Sequence, residues 1–185
     1  MLIQSPVMKH IKAFLAIVPF CIFLNSCMEE GDSVGGGAAG DGFLYEYEKG
    51  HFKVKFPVEP KAQSHRVFGD DNIEAKASVN GVTFTARYIP DATGAADDID
   101  KYLKERGEKT VANMKITSAK EIEVSGLRAV RVEEVTTDDL DITAFRVHVP
   151  ANGRIYTLEV HGATPRIDLA AVNAFIDSFE IQKKE

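Results

Sequence analysis

Few residues in this 185-residue sequence are of a type that does covalent or metal chemistry. Its two cysteines, Cys21 and Cys27, both lie near the start. The remainder of the chain therefore offers no thiol for a disulfide, a nucleophile or a thiolate metal site. Four histidines follow residue 50: His51, His65, His148 and His161. His148 and His161 fall in two strand-like runs joined by one turn. Pairing Val149 with Arg154 would set His148 opposite Ile155 and His161 opposite Ile142. The two would then be about 20 Å apart at the usual strand rise, too far to share a zinc ion. Both occupy polar-facing positions, which predicts solvated or internally satisfied rings. Glu133, Glu134, Asp138, Asp139 and Asp141 make an acidic stretch, yet a calcium site needs roughly six to eight oxygens on a curved loop. This stretch reads as a solvated turn, and Asp70-Asp71-Asn72 reads as another. There is no Gly-x-Ser-x-Gly elbow, phosphate-binding Gly loop, dinucleotide Gly motif or His-Glu-x-x-His. The expectation is of no catalytic residue, no metal, no cofactor and no enzyme activity.

Cys27 is the exception. Lys9, His10 and Lys12 form a short positive stretch, and the apolar run Ala13 to Leu24 follows. The run is well short of the ~20 residues a helix needs to cross a bilayer. Charge, short apolar core and small residues before a cut site read as a secretory signal over residues 1–26. Leu24-Asn25-Ser26-Cys27 resembles the bacterial lipobox, in which the cysteine receives lipid, although Asn25 is less usual at its position. Multiple acyl chains on Cys27 would hold firmly where a single chain holds marginally. Met8 is a plausible start as well as Met1. Met28, rather than Asp, follows the cysteine, which favours the outer membrane, and Glu29-Glu30 resembles the acidic pair after the cysteine of some surface-exposed lipoproteins. The Gly-rich run from Gly31 to Gly42 completes a tether over 27–42, with a root-mean-square span of about 20 Å.

The formal net charge is −6, and without Lys9 and Lys12 the mature chain stands at about −8. Nucleic-acid binding needs clustered cations, so this balance argues against it. Residues 43–185 read as one domain of ordinary apolar content. Phe52, Val54 and Phe56 alternate with polar neighbours as in a half-buried strand. Ile73–Val79 and Val82–Tyr88 flank Asn80-Gly81, a strong hairpin signal, with Ile73, Ala75, Ala77 and Val79 facing Val82, Phe84, Ala86 and Tyr88. A helix is predicted from about Ala95 to Met114, with Asp97, Asp98 and Asp100 in its first turns, Ile99, Leu103, Val111 and Met114 as its stripe, and Gly107 a weak point. Strands are predicted over about Lys115–Val124, Leu127–Thr136 and Leu140–Val149. A β-bulge in the third is expected where its apolar face switches from Leu140/Ile142/Ala144 to Phe145/Val147/Val149. After a turn at Pro150-Ala151-Asn152-Gly153, the strand Arg154–His161 turns Tyr156, Leu158 and Val160 inward. A last helix is predicted to start with Thr164 as cap and Pro165 in its first position, burying Val172, Phe175, Ile176 and Phe179. Tyr45 and Tyr47 are expected in an edge strand rather than an exposed aromatic patch. Strands, helix, strands, helix give an α+β fold: a mostly antiparallel sheet with helices packed on it.

Five segments, spread from about residue 45 to 182, resemble the PsbP-like family: Phe52-Lys53-Val54-Lys55-Phe56-Pro57, the helix carrying Tyr102-Leu103, Ser125-Gly126-Leu127-Arg128-Ala129, Gly153-Arg154-Ile155-Tyr156-Thr157-Leu158, and Phe175-Ile176-Asp177-Ser178-Phe179. That family includes the extrinsic photosystem II subunit, bacterial lipoproteins and a nuclear-transport relative that binds the Ran GTPase. The resemblance implies an α/β/α sandwich and a non-enzymatic accessory, adaptor or assembly role, and it transfers no site residue. The resulting expectation is an envelope lipoprotein, attached to the membrane through lipid, that docks onto another envelope protein. The alternative is a small-molecule or ion-binding lipoprotein.

Overall fold

A computed structural model describes residues 42–67, 70–91, 98–109, 113–138 and 140–182, without the side chains of 65–67 and 70–71. The expected signal, Cys27 and the expected tether up to residue 41 lie outside the described residues. The strands, in chain order, begin with β1 (Phe43–Tyr47), β2 (Phe52–Phe56), β3 (Lys61–Val67), β4 (Asp70–Val79) and β5 (Val82–Pro90). Helix α1 (Ile99–Glu108) is followed by β6 (Met114–Val124), β7 (Leu127–Thr136), β8 (Ile142–Ala151) and β9 (Arg154–Ala163). A 3-10 turn (Thr164–Arg166), α2 (Leu169–Asp177) and β10 (Glu180–Ile181) complete the order.

All strand pairings are antiparallel, in a small sheet ordered β1-β2-β10 and a large one ordered β3-β4-β5-β9-β8-β7-β6. Alternation sets which face each strand buries. Phe52, Val54 and Phe56 of β2 are buried, as are Phe84, Ala86 and Tyr88 of β5 and Tyr156, Leu158 and Val160 of β9. They form one core with Val172, Phe175 and Ile176 of α2 and with Phe179. Phe175 stands 5.1 Å from Phe56 and 5.4 Å from Phe84, so α2 and the small sheet cover the same face of the large sheet. On its opposite face, Tyr102 and Leu103 of α1 pack on Val130, Val132 and Ile155. The fold is thus α+β, with one helix on each side of the large sheet.

The β4–β5 hairpin has the expected register, Ala75 opposite Ala86 and Ala77 opposite Phe84. At its turn Asn80 and Gly81 both take positive φ, 52° and 78°, the backbone a two-residue hairpin requires. Tyr45 and Tyr47 do lie in an edge strand, β1, where Tyr45 is buried.

Other expectations are corrected. The first helix is shorter than 95–114. Asp98 caps it by accepting from Lys101 N at 3.1 Å, Lys109 is already extended, and Met114 opens β6. Residues 95–97 and Val111 lie outside the described residues. Gly107, a poor helix former, sits where α1 meets the sheet: a Cβ there would stand 3.3 Å from Ala119 Cβ. Asp70-Asp71-Asn72 is not a turn but the start of β4, paired with the end of β3. No bulge interrupts β8, whose register with β7 and β9 is continuous. Both Ala144 and Phe145 are buried because this part of the sheet is covered on both faces. The one irregularity among the described pairings lies in β6, between Ile116 and Ser118. The 3-10 turn takes Thr164 and Pro165. α2 is capped instead by Asp168, which accepts from Ala170 N at 2.9 Å.

Candidate functional site

Three neighbouring strands carry charge on the face of the large sheet that α1 only partly covers. β7 presents Glu134, β8 presents Arg146 and His148, and β9 presents Thr157, Glu159 and His161. The register sets Arg146 directly opposite Glu159 and His148 opposite Thr157. Arg146 Nε donates to Glu159 Oε2 at 3.0 Å, and its Nη1 contacts the Glu134 carboxylate. His161 Nδ1 lies 3.0 Å from Glu159 Oε1. Glu134 is only 1 % exposed, and the Arg146 guanidinium is the partner its buried carboxyl meets. Burial pushes the Glu159 carboxyl up, but the hydrogen bond from His161 and the Arg146 charge outweigh it and hold the group down at about 2. His148 Nδ1 lies 3.3 Å from Thr157 Oγ1. Desolvation, reinforced by Arg106, Arg87 and Arg146 and opposed by Glu159, lowers its imidazole to about 3, so the ring is neutral at neutral pH.

Between these strands and the last turn of α1 lies a cleft of about 170 Å³, lined by Arg87, Arg106, Lys109, Val132, Glu134, Arg146 and His148. α1 contributes Arg106, whose guanidinium lies 5.4 Å from the centroid of Tyr102, and Lys109, its C-cap. β5 contributes Arg87. The second concavity is larger, about 600 Å³, and sits at one end of the sandwich. Three turns build it: His51 after β1, Ser125 between β6 and β7, and Asn152 between β8 and β9, all at positive φ. Leu127, Arg154, Ile181 and Gln182 complete its lining. Two hydrogen bonds hold β10 and the residue after it to two of these turns, with Gln182 N donating to His51 O at 2.7 Å and Ile181 N to the Ser125 hydroxyl Oγ at 3.2 Å. Tyr156 Oη donates to Gly50 O at 3.0 Å from within the core.

No family model matches this chain, and no curated protein does. Solved structures do. The solution structure of the cyanobacterial PsbP (CyanoP) of Synechocystis sp. PCC 6803 superposes with a TM-score of 0.55 at 14% identity, covering 82% of this chain and 98% of that one. The fold is PsbP-like. A crystal structure from Bacteroides thetaiotaomicron gives a TM-score of 0.52 at 13% identity over 78% of this chain, which spans 50% of that protein's length. Identities this low speak to the fold alone.

Within this PsbP-like frame the sequence-singled residues separate. His148 and His161 do lie on two paired strands, but the turn closes at Ala151 and Arg154, two residues beyond the expected register, so His148 faces Thr157 and His161 faces Ala144. They are still some 13 Å apart along the ladder. His51 is at the turn end, and the side chain of His65 lies outside the described residues. The acidic stretch is not one turn. Glu133 and Glu134 belong to β7 and point to opposite faces, Asp138 Oδ1 accepts from Leu140 N at 3.2 Å, and Asp139 lies outside the described residues. Among the described residues, no three His, Cys, Asp or Glu side chains gather as a metal site would. No helix among them is long and apolar enough to cross a membrane. Sequence reasoning took Glu134 for part of a solvated turn and missed Arg146, Glu159 and Arg87. The signal was there in the phase: Val130, Val132 and Glu134 share one parity in β7, which puts an acid in an apolar row.

Proposed function

We propose that this is a lipid-anchored accessory protein of the bacterial cell envelope. It is exported by the signal over residues 1–26, held through Cys27, and docks onto another envelope protein. The observation that carries the reading is the placement of the larger cleft. β1 begins at Phe43, where the tether joins the domain, and runs toward His51, so the cleft of three turns sits at the end farthest from the tether. A docking surface there leaves the end of the domain that joins the tether free. Half-buried Leu127 and Ile181 beside Arg154 and Asn152 supply the mixed lining common in protein interfaces. The acids and the imidazole that could serve acid–base chemistry are committed to Arg146 and Thr157, which favours binding over turnover.

Cross-linking in intact cells, followed by identification of what co-purifies, tests this. One recurrent envelope partner is expected, lost with Cys27→Ala and weakened by Arg154→Glu. Absence of any partner at every linker length would overturn the docking reading. A second reading, a small-molecule or ion-binding lipoprotein, draws on the cation-lined cleft beneath α1.

A further inference from the structure

We propose that the cleft between the last turn of α1 and the open face of the large sheet binds a doubly charged oxyanion of the phosphate kind. Its lining holds four cations, Arg87, Arg106, Lys109 and Arg146, against the single carboxylate of Glu134. This surplus of positive charge is concentrated within a chain whose formal net charge is −6. Arg146 is committed to Glu134 and Glu159, so a ligand would draw on Arg87, Lys109 and Arg106, the last also lying over the Tyr102 ring at 5.4 Å. Glu74 offsets part of this charge at 3.9 Å from Arg87, but that carboxylate is shared with Lys76 at 2.8 Å.

Arg106 of α1, Arg87 of β5 and Arg146 of β8 line the same cleft as His148, so three elements bring their charge to one place. A neutral imidazole there adds a hydrogen-bonding group without adding charge. Two guanidinium forks and an ammonium suit a tetrahedral dianion better than a carboxylate, which would satisfy one charge and one fork. The volume, about 170 Å³, is on the order of five or six water volumes, room for a phosphate group and little beyond it. Inorganic phosphate and the phosphate of a lipid headgroup present the same chemistry. The site does not depend on the docking reading, because it occupies a different part of the fold.

The test uses the exported chain with Cys27→Ala, titrated with inorganic phosphate while the His148 ring resonances are followed by NMR. Saturable binding is expected. Acetate should bind at least tenfold more weakly, and Arg87→Gln and Lys109→Gln should each lower phosphate affinity about tenfold. An unchanged melting curve shows that each variant is folded, and Arg87→Lys serves if Arg87→Gln is not. Co-sedimentation with vesicles of phosphatidic acid in phosphatidylcholine, lost in the same variants, would assign the phosphate to a headgroup. Binding to free phosphate without co-sedimentation would assign it to a soluble molecule. No response to either probe, or a response unaffected by both variants, would overturn the proposal. Partner capture that persists in the two variants leaves the docking reading standing whichever way this test falls.

Discussion

Glu134 shows how far one side chain departs from what its neighbours in sequence suggest. Among acids near a turn it reads as solvated, but its place in the alternation of β7 drives it under the sheet's cover, and Arg146 of the next strand compensates it. Glu134→Ala should therefore cost about 3 kcal/mol in urea unfolding, since it strips the half-buried Arg146 guanidinium of one of its two carboxylates. Replacing Glu134 and Arg146 together by leucines should cost much less, and a double-mutant cycle measures the coupling. Two neighbours set the response to acid. His148 has an ordinary value of 6.5 and is held near 3 by burial and by Arg106, Arg87 and Arg146, against Glu159. Over that interval the unfolded chain binds a proton that the fold refuses, so this contribution is complete above 6.5 and is lost as pH falls. Glu159, lowered from 4.5 to about 2, adds a second loss below 4.5. Unfolding curves collected across both intervals should show His148→Gln flattening the upper limb and Glu159→Gln the lower. Parallel limbs in wild type and both variants would disprove the assignment.

At the scale of elements, glycines test the packing. Gly153 takes φ 68° in an open turn where an added Cβ meets nothing, so Gly153→Ala should cost only the left-handed strain of about 1 kcal/mol. Gly162 is different: a Cβ there would stand 3.0 Å from Gly81 O and 3.1 Å from Val82 Cα, backbone that cannot swing aside. Gly162→Ala should lower the melting temperature more than Gly153→Ala does. Much of this architecture was legible in the chain. Asn80-Gly81 marked a hairpin with its register, and Val172, Phe175 and Ile176 marked the buried face of α2. What failed did so for physical reasons. The apparent change of face at Ala144 and Phe145 assumed that only one side of the sheet is buried there, whereas residues pointing to both sides are. β3, with Gln63 and Ser64 exposed, has no apolar phase to reveal it. The charged cleft was illegible because its groups come from α1, β5, β7 and β8 and meet only after the strands pair.

At the scale of the molecule, the lipid anchor proposed above would make the segment before Phe43 govern reach. Deleting residues 33–40 leaves Cys27 and its preceding residues intact, so membrane fractionation should be unchanged while cross-linking to a partner falls. Equal cross-linking with the short tether would show that the partner sits against the membrane. The direction of β1 has a mechanical consequence. In a molecule held at Cys27 and gripped at the turn end, tension enters at Phe43 and runs along the strand. The five β1–β2 residue pairs, from Phe43 opposite Phe56 to Tyr47 opposite Phe52, then share the load in shear instead of parting one after another. Tyr45, wedged between Phe52 and Phe56 at 6.2 and 6.0 Å, stands at the middle of that grip, so the strand nearest the proposed anchor is also the one arranged to resist being peeled from its neighbour.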